Sequence, residues 1–358
     1  MKEESLEDLR EQIRLLDLEL VALAARRVAL AKRVGEIKHR QGISTVDYTQ
    51  ERAVLDRARS AAREQGLDPR VAEDLFTRLI QASVSAQVEH RIRSAGLGAG
   101  KSAVVIGGAG RMGRWLRDFL TALGYTTGVI DPAAPPDDDA WARRVLPSAE
   151  LVMCSIPPAG IAKVYDDLAA NPPAGVVIDI ASIKTPVIGP IRVLQRAGVR
   201  VASIHPMFGP SVVLLRDADV VICDTGDAEA TAIVEGLFQP TTARLVRVAL
   251  ADHDRIMADL LSLAHATAIA FALSLPQTEH PVRSTTFQAL EGLAAAVVRE
   301  SPEVYYEIQA GNPYSMESLE NLRLAVDRIV ATIKERNSRG FRSLFDEGQR
   351  HTPEGDVI

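Results

Sequence analysis

Three glycines near residue 110 have the spacing of a phosphate-binding turn. Gly108, Gly110 and Gly113 follow an apolar run that starts at Val104, and a helical pattern follows them. In the pattern G-x-G-x-x-G the first glycine permits a tight turn, the second lets a pyrophosphate approach the backbone, and the third lets helix and strand pack closely. The N–H groups at the start of the helix then hold the anion. A purely structural glycine turn is the alternative.

Asp131 indicates which dinucleotide such a turn would hold. It ends the next apolar strand, 23 residues after Gly108. A carboxylate there accepts hydrogen bonds from a ribose and repels a 2′-phosphate, so it favours NAD over NADP. We expect further cofactor contacts beside the glycines and after the third strand, at Arg111, Met112, Ser155 and Pro157.

Two polar residues follow later strands, at the edge where a substrate would meet the cofactor. His205 ends one strand, and a neutral histidine there can accept a proton from a substrate hydroxyl while hydride leaves. Ser182 ends the neighbouring strand and would share that hydroxyl. The alternatives are a histidine that caps its strand and a serine that caps the next helix. His265 lies in an apolar helix, where it is either a core residue or a substrate contact.

The first hundred residues carry a second set of inward-facing polar groups. Arg27 and Lys38 lie on or beside the apolar stripe of a long helix, and buried cations are costly unless paired. Ser83 and Gln87 continue the apolar stripe of a later helix. Together they predict a polar pocket for a dianion inside a helical bundle. Alternatively, Arg27 snorkels at the edge of the stripe with its charge in solvent.

The elements that would position these groups fall into successive regions. Residues 1–95 predict helices over 5–41, 49–65 and 69–93. The first would be ~55 Å long, more than two short helices of the same chain can cover, so we expect a partner subunit. After a flexible linker at 96–102, residues 103–250 alternate strands and helices as in a mostly parallel sheet. Residues 251–337 predict a helical substrate and dimerisation domain, and 338–358 a loosely ordered tail.

Composition limits the class of protein. The 358 residues are 47% hydrophobic and 25% charged, the balance of a globular chain. The net charge of −6 and 4% aromatic content do not favour a nucleic-acid partner. Cys154 and Cys223 lack the spacing of a metal or disulfide site. The acidic start lacks the apolar core of a signal peptide, and by our reading no apolar run reaches the ~18 residues that span a membrane. We therefore expect a cytoplasmic protein without membrane partners.

Residues 5–92 resemble the all-helical, dimeric chorismate mutases. The resemblance rests on the segments Leu9–Ile13, Ala25–Arg27 and Val34–Lys38, and on single residues of the second and third helices. It implies that Arg27, with Arg10 from the other subunit of a homodimer, clamps the substrate carboxylates. It also implies that Lys38 and Gln87 donate to the ether oxygen. The remaining implied substrate contacts are Asp47, Glu51 and Ser83. Gln50 stands where the family often has an arginine.

Residues 103–335 resemble prephenate dehydrogenases. The resemblance rests on the glycine turn, on 179–184, 205–210, 253–254 and 265–271, and on 305–314. It implies that His205 accepts the hydroxyl proton, that Ser182 assists and that His265 contacts the substrate. A substrate-gripping arginine of some members has no counterpart that we can place, and Ala159 stands where some have a histidine.

The order of the two regions resembles the bifunctional chorismate mutase/prephenate dehydrogenase family, the T-protein-like enzymes. The implied fold is multidomain: an all-α chorismate mutase-type domain, an α/β Rossmann-type domain and an all-α C-terminal dimerisation domain. The implied function is rearrangement of chorismate to prephenate, followed by NAD-dependent oxidative decarboxylation to 4-hydroxyphenylpyruvate in tyrosine biosynthesis. Two alternatives remain at this point: an enzyme for the 4-amino-4-deoxy analogues, and a non-catalytic sensor of NAD and a shikimate-pathway acid.

Overall fold

A computed structural model describes residues 5–212, 215–216, 218–276 and 282–351. The chain divides into two compact units. The first contains Met1–Ala181 and Ile191–Val248, and the second contains Ser182–Pro190 and Ala249–Ile358.

Three helices begin the first unit: α1 (Leu6–Arg40), α2 (Tyr48–Glu64) and α3 (Pro69–Ala95). Their ends carry local stop and start signals. Ser5 and Asp8 form a capping box at the start of α1, and Gly96 ends α3 in the left-handed conformation. The three helices agree with the predicted ones to within two residues at every boundary.

Helix α1 leaves its apolar stripe uncovered within one chain. Buried small and branched residues hold α2 and α3 together. Along α1, by contrast, the stripe residues are each at least 43% exposed. They are Leu6, Leu9, Ile13, Leu16, Leu20, Leu23, Leu30, Val34 and Ile37. The hydrophobic effect strongly disfavours such a surface in water.

A seven-stranded sheet forms the rest of the first unit. Its strands are β1 (Ser102–Ile106), β2 (Thr126–Ile130), β3 (Leu151–Cys154), β4 (Val176–Asp179), β5 (Arg200–Pro206), β6 (Asp219–Asp224) and β7 (Arg244–Ala249). The order is β2-β1-β3-β4-β5-β6-β7. Strands β1 to β5 are parallel and β6 is antiparallel to β5, so the prediction of a mostly parallel sheet is confirmed.

Helices connect these strands. They are α4 (Arg111–Ala122), α5 (Pro136–Val145), α6 (Pro158–Ala170), α7 (Thr185–Arg196) and α8 (Ala228–Phe238), with a short 3-10 turn at Leu146–Ser148. The strand residues Ala103, Val105 and Ile178 are fully buried, as are Leu116 and Leu120 of α4. This is the layered core that places ligand sites at the carboxyl ends of parallel strands.

Residues 96–102 are more ordered than their composition suggests. Gly98 N–H donates to Leu123 O at 3.0 Å, and Lys101 N–H donates to Gly98 O at 2.9 Å. A Cβ on Gly98 would lie 2.3 Å from Tyr125. The glycines therefore serve a close approach of the backbone to the sheet domain, and the expectation of a flexible linker was wrong.

The second unit is helical, as predicted. Its helices are α9 (His253–Met257), α10 (Ala264–Ser274), α11 (Thr285–Val298), α12 (Pro302–Gly311), α13 (Ser315–Lys334) and α14 (Ser338–His351), with a π-helical turn at Ala258–Leu263 between α9 and α10. The stretch His253–Ser274 is long and apolar enough to cross a membrane by length and composition, contrary to the sequence expectation. Length and composition of one such helix are weak evidence, because the core helix of a soluble protein passes the same test.

Helix α14 corrects the predicted loosely ordered tail. Arg328 of α13 donates two hydrogen bonds to Glu347 of α14, at 2.9 and 2.5 Å. Phe341 and Phe345 contact each other within the helix, with ring centroids 5.3 Å apart and the rings tilted by 44°. The polar composition that suggested disorder belongs to an amphipathic surface helix. Residues 352–358 lie outside the described residues.

Candidate active sites

Arg27 is turned inward and bonded to α3. Its Nη1 donates to Ser83 Oγ at 2.8 Å and to Leu79 O at 2.9 Å. Burial lowers the pKa of Arg27, although a guanidinium stays charged at neutral pH. The structure therefore favours the polar-pocket interpretation over a snorkelling side chain and brings Arg27 and Ser83 together.

Gln87 is the buried polar group with the clearest spare bonding capacity. Its side-chain oxygen is buried and has no hydrogen-bond partner among the described residues. Gly35 of α1 lies against it, and a Cβ at residue 35 would be 2.5 Å from Gln87 Cγ. Sequence reasoning missed Gly35, although a glycine in the middle of a long helix signals close packing.

Two further cations lie near the α1–α2 connection. Lys38 Nζ donates to Thr45 O at 3.3 Å, and Arg91 Nη1 donates to Thr45 Oγ1 at 3.2 Å. Arg91 follows Gln87 by four residues on α3 and was also missed. The i, i+4 spacing that pointed to Ser83 and Gln87 could have found it.

The acidic residues of α2 have other partners in this structure. Asp47 caps α2, accepting from Gln50 N–H at 3.0 Å. Glu51 accepts two hydrogen bonds from Arg216, at 3.1 and 2.6 Å, and the Arg216 guanidinium lies over the Tyr48 ring. Sequence reasoning did not anticipate Arg216. Arg10 is exposed on α1, apart from the Arg27–Ser83 pair.

The glycine turn has the geometry of a dinucleotide site. Gly107 has φ +80°, and a Cβ on it would lie 2.1 Å from Ser155 O. A Cβ on Gly113 would lie 2.2 Å from Gly107 O. Gly110 is the N-cap of α4, which begins with Arg111 and Met112, so the helix presents its N-terminus to the turn. Only glycines allow the turn, the helix and the end of β3 to approach this closely.

Asp131 lies at the carboxyl end of β2 beside this turn. Its Oδ2 accepts from Ala109 N–H at 3.1 Å and its Oδ1 from Ala133 N–H at 2.8 Å. The carboxylate is therefore fixed next to the glycines, as a ribose contact requires. Pro157 precedes α6, after the end of β3.

His205 is 5% exposed and lies one residue before the end of β5. The adjacent end of β4 is fixed by the buried Asp179. This carboxylate accepts from Ser203 Oγ at 2.8 Å, from Tyr165 OH at 3.2 Å and from Ala181 N–H at 3.2 Å. The strands that carry His205 and lead to Ser182 are thus locked side by side at their carboxyl ends.

Ser182 begins the segment that belongs to the second unit. The first N–H groups of α7, from Lys184 and Thr185, donate to Asp254 at 2.7 Å each. Burial raises the pKa of Asp254, but hydrogen bonds from His253 and from these backbone groups outweigh it and hold the pKa at about 2. The serine is therefore not needed as the cap of α7. His253 and Asp254 stand at the start of α9, and Asp254 also bonds to the backbone at the start of α7.

His265 is a poorly satisfied histidine. Its Nδ1 is buried without a partner among the described residues, and its ring meets Tyr305 edge to face at 4.5 Å. Burial lowers its pKa, which favours the neutral ring. The Gln309 side-chain oxygen is likewise buried and unpartnered within the described chain, while its nitrogen donates to Ser262 O of the π-helical turn. Asn312 is a structural residue, donating to Asp254 O at 2.7 Å.

Family models match three parts of the chain. "Chorismate mutase type II" matches residues 9–88, and "Prephenate dehydrogenase, nucleotide-binding domain" matches residues 123–247. A "TYRAAT1-like, C-terminal domain" model matches residues 273–343.

Some relatives match one region of the chain, and others match nearly all of it. The T-protein of Enterobacter agglomerans is 26% identical over 94% of this chain and 90% of its own length. The chorismate mutase of Methanocaldococcus jannaschii is 32% identical over 24% of this chain and 88% of its own. The 4-amino-4-deoxyprephenate dehydrogenase of Streptomyces pristinaespiralis is 27% identical over 68% of this chain and 88% of its own.

A solved structure shares the fold of the larger part. Prephenate dehydrogenase from A. aeolicus, in complex with hydroxyphenyl propionate and NAD+, has a TM-score of 0.55 and 16% identity, over 70% of this chain and 97% of that one.

Fold, sites and comparisons define a two-domain enzyme class: a helical chorismate mutase joined to a nucleotide-binding dehydrogenase. The chain belongs to the family of bifunctional chorismate mutase/prephenate dehydrogenases. It is an isomerase and an oxidoreductase, and the non-catalytic sensor is not supported.

Proposed function

We propose that the helical domain rearranges chorismate to prephenate in a site built around Arg27, Lys38 and Gln87. The reaction is pericyclic and needs no nucleophile or base. It needs a folded substrate and positive charge where the breaking C–O bond becomes negative. Arg27 and Ser83 would hold a carboxylate. Lys38 and Gln87 would donate to the ether oxygen, with the Gln87 amide turned by the ligand.

A second copy of the chain completes this site. The support is the uncovered stripe of α1, which a matching helix of the same sequence would bury. Arg10 lies on that helix, where it can reach the pocket of the other subunit. The homodimer thus accounts for both the exposed apolar surface and the distance of Arg10 from Arg27. Asp47 and Glu51 remain proposed substrate contacts at the mouth of the pocket, with Glu51 paired to Arg216.

The second activity is oxidation of prephenate at the dehydrogenase site. The glycine turn and Asp131 fit NAD, which supplies the hydride acceptor. His205 would take the proton of the ring hydroxyl, and Ser182 would hold that hydroxyl in place. His265, neutral and with an unsatisfied Nδ1, would contact the substrate. Loss of the ring carboxylate as carbon dioxide yields an aromatic ring, so modest acid–base assistance is sufficient.

The observation that carries the proposal is the coexistence of two polar clusters on one chain. One is Arg27 bonded to Ser83, with the buried Gln87 one turn further along α3, and the other is the glycine turn with its acid. Purified enzyme should consume chorismate without NAD and should form NADH from prephenate. Absence of chorismate consumption would contradict the proposed mutase activity, and absence of NADH formation would contradict the proposed dehydrogenase activity. Cys154 and Cys223 are both buried and form no disulfide among the described residues, which fits the reducing cytoplasm, where we place the enzyme.

A second candidate substrate pair is 4-amino-4-deoxychorismate and its prephenate analogue. It is favoured by Gln50 and by the similarity to the Streptomyces enzyme. It is opposed by the T-protein relatives, which match 94% and 96% of the chain. Steady-state kinetics with both pairs would decide. We expect higher kcat/KM with prephenate, and a preference for the amino analogue would reverse the assignment.

A further inference from the structure

Two buried carboxylates bracket the segment that carries Ser182. On one side, Asp179 accepts from Ala181 N–H at 3.2 Å. On the other side, Asp254 accepts from the backbone N–H groups of Lys184 and Thr185, one on each oxygen, at 2.7 Å. The backbone is therefore bonded directly before and shortly after Ser182.

Asp254 is itself held in place. His253 Nδ1 lies 2.7 Å from its Oδ1, and Asn312 Nδ2 donates to its backbone oxygen at 2.7 Å. His253, Asp254 and Asn312 are 0%, 2% and 3% exposed. An acid that only starts a helix would bond to its own helix, whereas Asp254 reaches groups 70 and 69 positions away in sequence. Asp254 therefore holds another segment of the chain, the backbone at Lys184 and Thr185, in place.

We propose that Asp254 is a positioning residue of the dehydrogenase, which fixes residues 182–185 so that the Ser182 hydroxyl is presented to the substrate. The inference rests on the proposed role of Ser182. The proposed positioning depends on the negative charge of Asp254, because charged acceptors form the stronger hydrogen bonds. It also depends on both carboxylate oxygens, since each accepts one of the two N–H groups. An asparagine can accept one of the two N–H groups but turns an NH₂ donor toward the other. Asp254→Asn thus keeps the volume and releases the segment.

The test compares Asp254→Asn with Asp259→Asn in the full-length chain. Asp259 lies in the same helical run, and its carboxylate accepts from Ser318 Oγ of α13 at 3.0 Å rather than from residues 182–185. We expect Asp254→Asn to lower dehydrogenase kcat about 100-fold, since misplacement by ~1 Å has effects of that size. The KM for NAD and the mutase activity should be unchanged, a split that general destabilisation would not produce. Asp259→Asn should behave like wild type.

Amide hydrogen exchange at Lys184 and Thr185 gives a readout that does not depend on catalysis. Faster exchange in Asp254→Asn than in Asp259→Asn, together with the loss of kcat, supports the proposal. Unchanged exchange overturns the pinning of the segment, and faster exchange with wild-type kcat overturns the positioning role. If the wild-type enzyme forms no NADH from prephenate, the proposed function fails instead, and the exchange comparison still decides whether Asp254 pins the segment.

Discussion

Gly35 and Gln87 pack closely against each other in the proposed mutase site. Gln87 has an unsatisfied buried oxygen, and Gly35 gives it the space to face the pocket. A glycine inside α1 costs helix stability, roughly 1 kcal/mol relative to alanine. The sequence keeps the less stable residue at the one buried position of α1.

Gly35→Ala is predicted to damage the mutase while leaving the dehydrogenase active. The added Cβ would collide with Gln87 Cγ and displace the amide, and loss of one such donor costs about 100-fold in kcat. Gly292→Ala, in α11 with open space around its Cβ, is the matched control. Both activities should be assayed on each variant. Full mutase activity in Gly35→Ala would show that Gln87 does not depend on this space.

The turn between β1 and α4 is the element that the sequence specifies most completely. Its glycine spacing and the position of Asp131 predicted both the turn and its place beside β2. The additional glycine, Gly107, escaped notice because the motif does not require it, although it has the positive φ. A local pattern of this kind can be predicted from the sequence, because the positions of the glycines determine where the backbone can turn and approach closely.

Gly113→Ala is predicted to weaken NAD binding roughly 5- to 100-fold, because overpacking against Gly107 O costs on the order of 1–3 kcal/mol. Titration calorimetry with NAD measures this effect. Gly236→Ala in α8, whose Cβ would meet nothing within 4 Å, should bind NAD normally. Equal affinity of the two variants would contradict the assigned cofactor site.

Other elements depend on long-range contacts that no local pattern reveals. The pairing of Glu51 with Arg216 joins residues 165 positions apart, and Asp254 meets Lys184 over 70 positions. Helix α14 was missed because its polar sequence resembles a disordered tail, and the ion pair to α13 lies outside its own sequence. The helices and strands were therefore recoverable from the sequence, while the long-range partners Arg216 and Asp254 were not. The roles of the site residues stay predictions.

At the level of the whole molecule, the uncovered apolar face of α1 supports the proposed homodimer. Its stripe of exposed leucines and isoleucines is continuous over the length of the helix. Burial of apolar surface contributes about 25 cal/mol per Å², so pairing of two such helices gives a strong driving force. The mutase site would then depend on the dimer through Arg10.

Leu20→Glu is predicted to disrupt the proposed α1 interface, to weaken the proposed dimer and to abolish mutase activity. Leu18→Glu is the control on the same helix, since both leucines are 55% exposed but only Leu20 belongs to the stripe. Analytical ultracentrifugation and the chorismate assay should be run on both. A dimeric, active Leu20→Glu variant would contradict the proposed interface.

The most direct test of the central claim, two separate active sites on one chain, is the effect of His205→Asn on both reactions. Asparagine retains polarity but cannot accept the hydroxyl proton as a base. We predict that NADH formation from prephenate falls at least about 100-fold, the usual contribution of a general base, while the conversion of chorismate to prephenate keeps its wild-type kcat and KM. Equal loss of both activities, or full retention of NADH formation, would contradict the account.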